Sequence, residues 1–134
     1  MDATDQTAPD LAMIEDIAHQ TRAALPAPWI GAAQQVAIRV EEMADPALLS
    51  DLGMEDPFEL TGLYDGVPLT QKSVMDQPEE PDQIWLFRRA ILDEWIDRGN
   101  VTLAELVSHV YVHELAHHFG WSDDDIASVD RWWE

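Results

Sequence analysis

Thr102-Leu103-Ala104-Glu105-Leu106-Val107-Ser108-His109-Val110-Tyr111-Val112-His113-Glu114-Leu115-Ala116-His117-His118-Phe119-Gly120 decides how the rest of the chain is read. Leu103, Leu106, Val107, Val110 and Leu115 recur at the helical period, Thr102 and Glu105 have the spacing of a capping box, and Gly120 supplies a stop. The pattern predicts one helix with an apolar face. On it His113 and His117, four residues apart, share a side and stand roughly 6 Å apart along the axis, so both imidazoles reach one divalent ion at about 2.0–2.1 Å. An extended strand would not bring them together. Glu114 follows the first imidazole by about 100° of rotation, which sets its carboxylate beside the ion rather than on it, the place of a general base.

Zinc used for chemistry keeps three protein ligands and an open position, where water ionises near neutral pH. The third ligand has to come from beyond the helix. Gly120 permits the left-handed turn that sends the chain back, making Asp123 the expected ligand, with Asp124 and Asp125 as substitutes. Ser122 and these three acids also read as the start of a last helix, its apolar side made by Ile126, Val129, Trp132 and Trp133. His109 lies too far along a straight helix to share a tetrahedral ion, and His118 is turned about 100° from His117, so supporting roles are expected for both. Trp121 is a packing residue beside the site or part of a pocket wall. Tyr64 and Tyr111 are phenols that could donate to an oxyanion, or structural residues.

With 134 residues, 46% of them apolar, residues 1–134 are expected to form a single domain, with residues 1–8 flexible. The chain has no cysteine, which excludes disulfides, thiolate metal sites and cysteine nucleophiles and leaves His and carboxylates as the metal donors. Seven Lys and Arg stand against 27 Asp and Glu, a formal charge of −20. That field repels phosphates and anionic lipid over a Debye length of about 8 Å and argues against nucleic-acid and membrane partners. The acidic start, Met1 to Asp5, lacks a signal peptide's basic and apolar regions, and no run approaches the roughly 18 apolar residues of a membrane span. A cytoplasmic monomer is expected.

Upstream, a helix is expected to begin around Thr7-Ala8-Pro9-Asp10, with Leu11, Ile14, Ile17, Ala18 and Leu25 on its apolar side and Pro26 and Pro28 ending it. Val36 to Val40 reads as a strand. Glu41 to Glu59 has seven carboxylates and no basic residue, with one helical turn expected near Leu48, Leu49 and Leu52. Phe58 to Tyr64 alternates, Asp65-Gly66 turns, and Val67 to Thr70 returns as an edge strand containing Pro68, where an extended peptide could add. A polar loop at 76–82 precedes a strand over Ile84 to Arg88 and a helix over Ala90 to Ile96, closed by Gly99.

His113-Glu114-Leu115-Ala116-His117-His118-Phe119-Gly120-Trp121-Ser122-Asp123 resembles the active-site segment of a small bacterial zincin-like metallopeptidase family, the minimal zincins with a matrix-metalloprotease-like domain. Gly62-Leu63-Tyr64-Asp65-Gly66-Val67-Pro68-Leu69 and Ile84-Trp85-Leu86-Phe87-Arg88-Arg89 resemble its two upstream segments. The resemblance implies an α+β, minimal zincin-like fold with a small mixed sheet packed against the motif helix. It also implies hydrolysis of a peptide or protein substrate, with Zn2+ as cofactor. The residue reading agrees: His113, His117 and Asp123 as metal ligands and Glu114 as base. Asp123 stands where better-known zinc peptidases have a third His, and no methionine follows Met75. An anionic ligand weakens the ion as a Lewis acid, so the alternative reading is a metal-holding or peptide-binding module without catalysis.

Overall fold

The Asp10 side chain accepts a hydrogen bond from Met13 N at 2.9 Å and thereby starts α1, Leu11–Ala23. A carboxylate at this position satisfies an amide that the first turn leaves without an intrahelical acceptor. The same device recurs through the acidic part of the chain. Asp45 caps α3 through Leu48 N at 2.8 Å, and Asp56 caps a 3-10 turn at Pro57–Glu59 through Phe58 N at 3.0 Å. Glu42 meets the Arg88 guanidinium at 3.1 Å. Several acids of the 41–59 stretch therefore have local structural work.

The structure is a computed structural model that describes residues 8–66 and 82–120. After α1 come α2 (Ala27–Ala33), β1 (Ala37–Glu41), α3 (Pro46–Asp51), the 3-10 turn, β2 (Gly62–Asp65), β3 (Gln83–Phe87), α4 (Arg88–Arg98) and α5 (Leu103–His118). The three strands form a mixed sheet in the order β1-β3-β2, β1 parallel and β2 antiparallel to β3. This is the α+β arrangement expected. Among the described residues no helix is long and apolar enough to cross a membrane.

Central β3 explains how the layers assemble. Its run of apolar residues is buried at every position but Trp85, which is half-buried, as suits a strand covered on both faces. Ile84 and Leu86 join Ile14, Ala18, Leu106, Val107, Val110 and Tyr111 in the main core between the sheet, α1 and α5. Phe87 turns the other way, into a smaller core with Ala44, Leu49 and Ala90, against which Trp85 and Leu63 pack. Each fully buried Leu or Val contributes about 1.5–3 kcal/mol relative to exposure. A 2.6 Å contact between the Thr21 and Ser108 hydroxyls joins α1 to α5.

Several boundaries differ from the sequence reading, each for a local reason. Pro26 and Pro28 end α1 but also begin α2, Pro26 as N-cap and Pro28 in the first turn, where a missing N–H costs nothing. The alternation over Phe58 to Tyr64 gives a strand only from Gly62, because Pro57 and the Asp56 cap divert residues 57–59 into the 3-10 turn. The turn near Leu48 is the six-residue α3, started by Asp45 and Pro46. β1 and β3 are each offset by one residue from expectation, and α4 starts at Arg88 instead of Ala90. The expectations of a flexible start, a return strand at Val67 to Thr70, a loop reaching back to residue 76 and a last helix from Ser122 fall on residues 1–7, 67–81 and 121–134, outside the described residues.

Candidate metal centre

Thr102 and Glu105 form the full capping box, the Glu105 amide donating to Thr102 Oγ1 at 3.0 Å and the Thr102 amide to Glu105 Oε1 at 3.4 Å. Thus begun, α5 runs 16 residues to His118, about 24 Å, with Leu103, Leu106, Val107, Val110 and Leu115 all buried. Gly120 follows with φ 88°, a left-handed conformation that a side chain would strain.

The apolar stripe fixes the rotation of the helix, and so where the histidines lie. The rings of His113 and His117 are 5.2 Å apart between centroids, at 75° to one another, and both residues are half-buried. Two imidazoles sharing a tetrahedral ion at Zn–N distances of about 2.0–2.1 Å have centroids roughly 5 Å apart. The spacing suits a shared ion. His109 lies farther off, its ring 6.1 Å from that of His113. Among the described residues no group of three His, Asp or Glu is placed to hold a metal. Asp123, the expected third ligand, and its substitutes Asp124 and Asp125 lie outside the described residues, as does Trp121.

Glu114 sits at the seam between α5 and β2. A Cβ placed on Gly62 would come within 2.6 Å of Val110 Cγ1 and 3.2 Å of Glu114 Cγ. Only a glycine lets the strand run this close. Val110, Glu114 and His118 form an i, i+4, i+8 row along the helix, and β2 lies along that row. Gly62 meets its first two members, and Tyr64, two residues farther on the same strand face, meets the third.

At that third point the Tyr64 hydroxyl donates to Asp82 Oδ2 at 2.7 Å, and its oxygen is 2.8 Å from His118 Nδ1. His118 Nδ1 also lies 3.1 Å from Asp82 Oδ2. With the phenolic proton given to the carboxylate, Nδ1 is the donor towards the Tyr64 oxygen. His118 is 4% and Asp82 7% exposed, so every polar atom here needs its partner. Burial, then the hydrogen bond to Asp82, then the charges of Asp82 and Asp65 push the Tyr64 phenol above its usual range, keeping it a donor.

A family model described as zincin-like metallopeptidase matches residues 33–133. The chain belongs to the zincin-like metallopeptidase family. No curated protein matches it. The matched region includes β1 to α5, so the sheet, the motif helix and the segment carrying Asp123 all fall within the zincin-like part. The family is one of zincin-like metallopeptidases, which suggests peptidase activity and implies zinc in general.

The donors described in this zincin-like chain fit zinc chemically: two imidazoles whose rings stand at sharing distance. His118 is hydrogen-bonded rather than set as a ligand, in keeping with the supporting role expected of it. Asp82, expected only as the last residue of a polar loop, joins it unannounced by the sequence. The sheet register brings it in: Asp65 pairs with Gln83 and Tyr64 with Ile84, leaving Asp82 beside Gly66. A Cβ on Gly66 would lie 2.5 Å from Asp82 Cγ. Gly62 and Gly66 flanking a short strand were the available signal, since glycine in a strand marks close approach.

Proposed function

We propose that this chain is a zinc-dependent peptidase in which His113, His117 and Asp123 hold the ion and Glu114 is the general base. The observation that carries the reading is the His113–His117 ring separation of 5.2 Å, on a helix whose intervening Glu114 lies against a strand at the edge of the described sheet. Bound zinc would polarise the scissile carbonyl and lower the pKa of water. The Glu114 carboxylate takes a proton from the attacking water as its oxygen adds to the carbonyl carbon. It then passes that proton to the leaving nitrogen as the C–N bond breaks. A sheet edge such as the one expected at Val67 to Thr70 would align an extended peptide.

Glu114→Gln is expected to keep stoichiometric zinc and lose turnover by roughly 10²-fold or more. Elemental analysis of protein purified without chelators, and mass spectrometry of a diverse peptide library incubated with the zinc-loaded chain, read the two effects. A Gln variant with wild-type turnover would remove Glu114 as base. The second reading, a zinc-holding or peptide-binding module, draws on the carboxylate at position 123, which would leave the ion a weaker Lewis acid. Zinc uptake with an intact peptide library would establish it instead.

A further inference from the structure

The Tyr64, Asp82 and His118 network joins three parts of the chain, the end of β2, the start of β3 and the last turn of α5. It lies beside the proposed ligands but is itself buried. We propose that it is a positioning device for the metal centre: by tying His118 to the sheet, it fixes the rotation of the helix turn that carries His117 and the direction in which the chain leaves at Gly120. The inference rests on the reading of His113 and His117 as zinc ligands.

Three observations carry it. The last turn of a helix has carbonyls without intrahelical donors and is prone to fray, and here that turn carries half of the proposed histidine pair. His118 is adjacent to His117 and is buried at 4% exposure, its Nδ1 held by two partner side chains rather than by packing alone. Finally, two glycines make room for the approach. A side chain at Gly62 would collide with Val110, and one at Gly66 would overlap Asp82. An apolar residue at each of the three network positions would fill the space with less desolvation, but without hydrogen bonds it would not select one rotation of the helix end. Tyr64, Asp82 and His118 are accordingly positioning residues, acting through His117.

The test measures zinc affinity of the full-length apo chain by competition with a chromogenic chelator, at a temperature well below each variant's unfolding midpoint. Asp82→Asn is expected to weaken zinc binding by about 10–100-fold, the usual cost of losing a supporting partner, and Tyr64→Phe by several-fold. His118→Asn, which keeps a donor near the Nδ1 position, should recover part of the affinity lost in His118→Leu. Folded Asp82→Asn and Tyr64→Phe chains that bind zinc within about twofold of wild type, whatever happens to their midpoints, would reduce the network to a polar patch of core and overturn the proposal. Should Asp82→Asn not fold, Tyr64→Phe, which loses one oxygen, decides alone. A wild-type chain that takes up no zinc overturns the metal reading and this inference together; a zinc-binding wild type matched by its variants overturns this inference only.

Discussion

Two neighbouring rows of α5 are built to opposite specifications. His109, His113 and His117 follow one another at i+4 along a half-buried side of the helix, ring beside ring at 6.1 and 5.2 Å. Val110, Glu114 and His118, one residue on, form a row pressed against β2, with Gly62 making room and His118 held by Tyr64 and Asp82. The difference teaches that the proposed base and ligands are positioned by different means. Glu114 is set by the sheet before any ion arrives. The two histidines are set by the rotation of the helix, which the proposed tie at His118 fixes. A third side of α5 carries Tyr111, wholly buried and with no hydrogen-bond partner for its hydroxyl among the described residues.

The largest effect should come from the ligand row. His117→Ala removes one of two imidazoles and is expected to take zinc content from about one ion per chain to near none, as read by elemental analysis, while leaving the apo fold intact. Far-ultraviolet circular dichroism of the apo variant checks the second half. Retention of stoichiometric zinc would show that the centre lies elsewhere, and the two rows would lose their distinction.

Gly62→Ala attacks the other row. The added methyl meets Val110 Cγ1, on a buried and β-branched side chain that has little freedom to turn away. A loss of about 1–3 kcal/mol in urea unfolding is expected, as for overpacking elsewhere. Since Glu114 is displaced and the histidines are not, turnover should fall while zinc stoichiometry holds. Equal loss of zinc would show that the rows move as one body.

How far these rows could be read in advance depends on how local their causes are. The length of α5, its cap and the sharing of a side by His113 and His117 all follow from spacings of three and four residues, and the sequence was enough. β3 was legible as an unbroken apolar run. The second row was not, because its meaning lies in β2, whose closest approach is through residues with no side chain. Asp82 itself is named by no local pattern: the glycines at 62 and 66 signal a close approach, but Asp82 meets His118 only once the strand register is known. α2 was hidden by reading Pro26 and Pro28 as stops, when a proline that ends one helix is equally suited to begin the next. Asp123 stays a reading of sequence.

Thr102→Ala tests whether the far end of α5 matters to either row. It removes the side-chain acceptor of the capping box and should cost about 1 kcal/mol of stability. The site lies more than two turns away along a helix held to the sheet at Val110, Glu114 and His118. Zinc affinity should therefore stay at its wild-type value, and a parallel drop would mean that the sheet contact does not isolate the centre from fraying at the start of the helix.

The smallest effect, and the one of opposite sign, concerns Tyr111. A buried hydroxyl without a partner loses its hydration and gains nothing, so Tyr111→Phe should raise stability by up to about 1 kcal/mol at neutral pH. Burial pushes this phenol up to about 12 from its ordinary 10.0, with the Arg22 charge pulling the other way. Because the folded chain holds the proton more tightly than the unfolded one, that contribution is complete below pH 10 and is lost as pH rises through about 12. The wild-type chain should accordingly lose stability over that window, and the Phe variant should lose less, keeping the part due to Tyr64, whose pKa is raised in the same direction. Urea midpoints of both proteins between pH 9 and 12 give the comparison directly. A Phe variant that is less stable than wild type at pH 7 would mean that the Tyr111 hydroxyl has a partner in solution, and this third side of α5 would then resemble the tied row rather than contrast with it.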